Sequence, residues 1–174
     1  MNQALDIIGS YLIGGIVVAA LAGLTFHITS KSQETTLSQI TQYTVAETGK
    51  VIEDDISKAG YRVASGPKIL AISADSIAFR ADLSNHGTID TVKYYSQTVN
   101  NTKRLFKKIG NSIKWSMPVE RFGVAGLDSA GSMTNVLSDV KSITVSIVTQ
   151  ETTDSDSQNI VGAFWKRQIF PKNL

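Results

Sequence analysis

The chain has 174 residues, of which 42% are hydrophobic and 18% charged, and its formal net charge is +2. That length suits one domain, or one domain with an appendage. With no Cys, a disulfide framework, a thiolate metal site and a cysteine nucleophile are all excluded. The near-neutral balance also excludes binding of nucleic acid through bulk charge, and equally an acidic disordered tail.

Charge is distributed unevenly. Between Asp6 and Lys31 the sequence IIGSYLIGGIVVAALAGLTFHITS has no Lys, Arg, Asp or Glu, and residues 7–28 are apolar or small almost throughout. About 20 such residues cross a bilayer core as a helix. A cleaved secretory signal is the rival reading, with Ala20-Leu21-Ala22 as a small-residue cleavage site. A signal requires a positively charged region before its apolar run, whereas MNQALD supplies an acid, which favours a retained membrane helix. Lys31 is the one nearby cation, so charge bias does not orient the span. Gly15, Ala19 and Gly23 recur at i, i+4, i+8 on one face, a small-xxx-small ladder that permits close approach of helix backbones. Gly and Ala are also common in membrane helices generally. Asp6 at the head of the run reads as an N-cap, or as an acid pairing with a neighbouring subunit's terminal amine. The two roles are compatible.

From 31 to 60 the chain is polar, with apolar residues at Leu37, Ile40, Val45, Ile52, Ile56 and Ala59. Their spacings of 3, 4 and 7 predict an amphipathic continuation of the helix. Gly49 and the frequent Thr lower helix propensity, which allows a bend there, and Gly60 is placed to cap the end. A helix continuous from Ala4 to Ala59 would be about 80 Å long. After Ser65-Gly66-Pro67 the pattern changes to period two. Strands are expected at 69–73, 76–81, 91–97, 103–106, 112–116, 140–150 and 160–170. In SITVSIVTQ, Ile143, Val145, Ile147 and Thr149 share a face. Turn signals at Ala74-Asp75, residues 84–87, Asn100-Asn101, Gly110-Asn111 and the polar run 152–159 separate them. Residues 126–138 read as a loop or a short helix. The expected architecture is α+β: a helix whose first part (1–30) is transmembrane, an amphipathic continuation (31–60), and an antiparallel β-rich head (61–174).

Several strings resemble those of type IV pilin-like proteins, in particular minor pilins and type II secretion pseudopilins. VIEDDISKAGYR (51–62) is similar to the end of their long helix, and DSIAFRADLSNHGTIDTVKYY (75–95) to their first hairpin. Lys103-Arg104-Leu105 resembles the strand that follows, and RQIFPKNL (167–174) their closing segment. The family's basic leader and its Gly-Phe-Thr-Leu-Ile-Glu start are not recognisable. Asp6 would fall fifth on removal of Met1, with Asp in place of the family's Glu. The resemblance implies a filament subunit that is stored in the inner membrane with an extracytoplasmic head, or displayed in a cell-surface filament. Its partners would be other pilin-like subunits, bound through the N-terminal helix, and a membrane assembly platform. Asp6, Gly15, Ala19 and Gly23 would be the assembly residues. A membrane-tethered monomeric binding module is the alternative, and a secreted domain without its leader is a third.

Chemical motifs are sparse. The loop DLSNHGTID (82–90) places oxygens of Asp82, Ser84 and Asp90 around a Gly turn, as a calcium loop does. Ser and His stand where further carboxylates are usual, and Lys93 holds the twelfth position, so a turn held by Asp and Asn side chains competes with that reading. His27 and His86 lie in no metal-ligand or triad spacing, and no phosphate-binding glycine motif occurs. No cofactor and no enzymatic activity are expected. Lys103, Arg104, Lys107 and Lys108 surround Leu105 and Phe106, a basic and aromatic strip that reads most plainly as a lysine-protected strand edge; a nucleic-acid contact is the weaker reading, and nucleic acid is not an expected partner. Trp115, Phe164 and Trp165 are expected in a core or an interface.

Overall fold

A computed structural model describes the backbone of residues 2–152 and 160–174, and the side chains of 7–150 and 162–174. The polar run from 153 to 159 and the side chain of Asp6 therefore lie outside the described residues. Among the described residues one helix, α1 (Asn2–Ser57), is followed by eight strands: β1 (Ile69–Ser73), β2 (Ser76–Ala81), β3 (Asp90–Val99), β4 (Thr102–Ile109), β5 (Ser112–Pro118), β6 (Arg121–Leu127), β7 (Ser142–Thr152) and β8 (Ile160–Ile169). The expected order, a long helix and then antiparallel strands, is the order observed. The strands form two sheets, a five-stranded meander β1-β2-β3-β4-β5 and a three-stranded β6-β7-β8, with every pairing antiparallel.

The chain divides into two compact units, Met1–Gln39 and Ile40–Leu174. The division falls inside the amphipathic segment 31–60.

The first unit is helical and its side chains are largely exposed. Its threonines are accommodated by back-bonding: Thr25 and Thr29 hydroxyls donate to the carbonyls of Leu21 and Thr25, each at 2.9 Å. A hydroxyl satisfied within its own helix needs no water, and so suits an apolar surrounding. Lys31 and Glu34 form an ion pair at 2.8 Å, which opens the polar part.

In the second unit, the stripe Thr41, Val45, Gly49, Ile52, Ile56 and Ala59 is buried. Its steps of 4, 4, 3 and 4 as far as Ile56 keep one face of a 3.6-residue helix against the sheets, and Ala59 adds to it from the turns that follow. Leu37 and Ile40, counted into that stripe from spacing alone, remain exposed at 39% and 57%. The core is completed by Phe79, Tyr94 and Leu105 from the larger sheet and by Phe122, Ile143 and Ile147 from the smaller. Ile143, Val145, Ile147 and Thr149 are all buried, as the alternation predicts.

Three details differ from expectation. The helix runs through Gly49 without a break. Gly49 makes room for Trp165: an added Cβ would overlap the indole ring, with Nε1 only 2.8 Å away. The helix ends at Ser57 and runs out through turns in which Lys58, Ala59 and Tyr61 donate to Asp55, Ile56 and Lys58. Gly60, at φ +80°, gives its N–H to the Arg80 carbonyl of β2 instead of capping α1. Strand β6 occupies a stretch with no strand expectation. Its glycines serve close packing: a Cβ on Gly123 would lie 2.6 Å from Ser146 Oγ, and one on Gly126 would lie 3.0 Å from Val140 Cγ2.

Candidate functional site

The first candidate surface is the apolar part of α1. Tyr11 is 80% exposed and Phe26 76%, and Ile8, Leu12, Ile16 and Leu24 are also exposed. A Cβ added to Gly14, Gly15 or Gly23 would meet nothing within 4 Å. The Gly15-Ala19-Gly23 face is therefore an open, shallow track among bulky side chains. The helix is long and apolar enough to cross a membrane by length and composition. Exposed apolar area on this scale requires lipid or protein to cover it.

The second is the loop after β2. The buried Asp82 carboxylate accepts from the backbone N–H of His86 (3.1 Å) and of Gly87 (2.8 Å), and from Arg62 Nη1 (3.1 Å). Tyr61 OH and Arg62 also reach Asn85, at 3.3 and 3.4 Å. The proposed calcium ligand thus faces N–H donors, and a guanidinium holds the place a cation would take. Asp90 lies at the start of β3, paired with Ala81, while Ser84 is on the exposed side of the turn. Among the described residues no group of three or more acidic, His or Cys side chains is placed to hold a metal.

Burial pushes the Asp82 carboxyl up, but the Gly87 and His86 amides and the Arg62 guanidinium outweigh it and hold it below the usual carboxylate value. Its contribution is therefore complete above the unfolded value of about 4 and is lost as pH falls through the still lower folded value. Acidification below pH ~4 is expected to release this loop. Amide protection factors of His86 and Gly87, measured across pH 2–7, check this. Unchanged protection at the acid end, or an unaltered profile in Asp82→Asn, would count against it.

The third is the basic strip of β4, which the strand geometry separates into two faces. Lys107 turns toward α1, where its Nζ lies 2.5 Å from Asp55 Oδ2 and 5.9 Å from the Tyr94 ring centroid. Tyr94 OH donates to the same carboxylate oxygen, and Trp115 lies beside Tyr94 at 6.0 Å between centroids. Lys107 is therefore removed from the set of surface cations: it compensates a buried acid on the helix. Burial first, and the Asp55 charge and hydrogen bond next, push the Tyr94 phenol far above its ordinary value. Lys103 shares Lys107's face by alternation, whereas Arg104 and Lys108 stand on the opposite face with Phe106.

Cross-strand pairing adds residues to that opposite face. Lys93 pairs with Lys108, Tyr95 with Phe106, and Gln97 with Arg104. The Tyr95 and Phe106 rings are stacked at 5.2 Å with 16° between planes, and Lys93 Nζ lies 5.1 Å from the Tyr95 centroid. The signal that would have shown this is the Asn100-Asn101 turn. Both residues have positive φ, 49° and 64°, as a two-residue type I′ hairpin requires, and such a turn fixes the register of both strands.

No family model matches the chain, and no curated protein matches it. Among solved structures it is similar to a type IV-like pilin from Thermus thermophilus. The two are 12% identical, with a TM-score of 0.46, and the match covers 82% of this chain and 97% of that one.

Proposed function

We propose that this chain is a pilin-like structural subunit, stored in a membrane through the apolar part of α1 and assembled into a filament through the same surface. The observation that carries this reading is the bare apolar helix of residues 7–28, with its open Gly15-Ala19-Gly23 track. Lipid covers such a surface before assembly, and neighbouring subunits' helices cover it afterwards. Without a hydrophobic difference between the two environments, the drive is close packing, which small residues permit. Asp6 would set the register between subunits, and the β-rich unit would carry the surface chemistry. The subunit class favoured is the minor, pseudopilin-like one, and the partners are other pilin-like subunits and a membrane assembly platform.

The test is Gly15→Leu with Gly23→Leu in the native host. Sheared surface filaments are expected to fall at least tenfold while the membrane-fraction level of the chain is unchanged. An undiminished filament yield would sink the reading. A wild-type chain found only as a monomer in the membrane would favour the tethered binding module instead.

A further inference from the structure

We propose that the outward face of the five-stranded sheet binds single-stranded nucleic acid. The inference does not depend on filament assembly and rests on the composition and register of β1–β5. Those five strands contain seven cationic residues, Arg80, Lys93, Lys103, Arg104, Lys107, Lys108 and Lys114, and one carboxylate, Asp90. Asp90 pairs with the buried Ala81, so it belongs to the core side. Lys107 is also on the core side, where Asp55 neutralises it.

The opposite face carries Arg80, Lys93, Arg104 and Lys108 around the stacked rings of Tyr95 and Phe106. Among the described residues none of these four cations takes part in an ion pair. Arg104 contacts Ser116, and Arg80 the Ser65 carbonyl, both neutral groups that leave the positive charge unbalanced. Asp75, in the β1–β2 turn, accepts from Ser73.

Lys93 and Lys108 stand directly opposite each other in the register. A like-charge cross-strand pair disfavours the sheet, and one carboxylate at either position would relieve it. A solvated lysine edge does not account for this placement, because β3 and β4 are interior strands of the sheet. The charge on this face complements a polyanion. The partly exposed aromatic pair at its centre narrows the choice. Bases of a single strand stack on aromatic rings while cations follow the phosphates, and flat sheets bearing aromatics bind splayed bases in this way. A duplex keeps its bases stacked internally and would engage the lysines alone. The near-neutral net charge does not conflict with this, because these four cations share their face with no carboxylate from β1–β5.

The experiment uses the full chain in detergent micelles and a fluorescein-labelled oligothymidylate of about 16 nucleotides, read by anisotropy. Tyr95→Leu or Phe106→Leu is expected to weaken binding by about 5- to 150-fold, the loss of one stacked base. Lys93→Gln with Lys108→Gln is expected to weaken binding and to flatten the salt dependence, by about 0.7 in log–log slope per cation removed. This double variant removes a like-charge pair, so it tests the face without threatening the fold. The fluorescence of Trp115 and Trp165 verifies folding. Absence of oligothymidylate binding, equal affinity for a duplex of the same length, or indifference to both the aromatic and the lysine variants would each overturn the proposal.

Discussion

Asp55→Ala is expected to destabilise the β-rich unit by about 3–5 kcal/mol, the cost of leaving one partner of a buried charged pair alone. Lys107 is only 12% exposed, and its ammonium would lose the carboxylate that faces it. Tyr94, completely buried, would lose the acceptor of its hydroxyl. Urea unfolding of the full chain in detergent, followed by tryptophan fluorescence, measures the effect, because both Trp115 and Trp165 belong to the affected unit. Replacing both charges, as in Asp55→Leu with Lys107→Met, should be far milder than Asp55→Ala, since a well-packed apolar pair often matches a buried ion pair. A loss below 1 kcal/mol for Asp55→Ala would show that the network contributes little. The raised Tyr94 phenol adds a pH dependence of defined sign. Its contribution is complete below the unfolded value of about 10 and declines as pH rises above it, where only the unfolded chain ionises.

The second large effect reverses an ordinary rule. Gly→Ala inside a helix normally stabilises by up to about 1 kcal/mol. At Gly49 the same change is expected to destabilise by about 1–2 kcal/mol, because overpacking against Trp165 costs more than propensity returns. In a Trp165→Ala background the clash disappears, so Gly49→Ala should then stabilise. The sign change between backgrounds, a coupling of roughly 2–3 kcal/mol, is read from the same urea curves. A stabilising Gly49→Ala in the otherwise unaltered chain would refute the packing argument.

Gly49 also marks a limit of what the sequence could disclose. Its low propensity was legible, but its neighbour lies on the last strand, and no local pattern joins the two. Short strands bounded by clear turn residues were legible to the residue, as β1 and β2 were. Strand β6 was not, because Gly123 and Gly126 read as loop signals, whereas they admit Ser146, Val140 and Ile72 at close range. The apolar track on α1 could be read because helical spacing is local. The division of Lys103, Arg104, Lys107 and Lys108 between two faces follows from alternation alone. Which face is buried depends on Lys107 meeting Asp55 and on Leu105 joining the core. Tyr95 and Lys93 joined the surface face only through the register set by Asn100-Asn101. Asp55 itself looked like one more helical acid, since nothing nearby in sequence is its partner.

The stripe from Thr41 to Ala59 has a bearing on the order of events during synthesis. Its partners come late: Arg167 meets Glu53 across 114 positions, and Trp165 fills the space over Gly49. Domains fold as units when their chain is available, N-terminal parts emerging first. Here part of the earliest core element, the side around Gly49 and Glu53, stays uncovered until the last strand has emerged. Truncations that remove β8 should therefore leave an aggregation-prone intermediate.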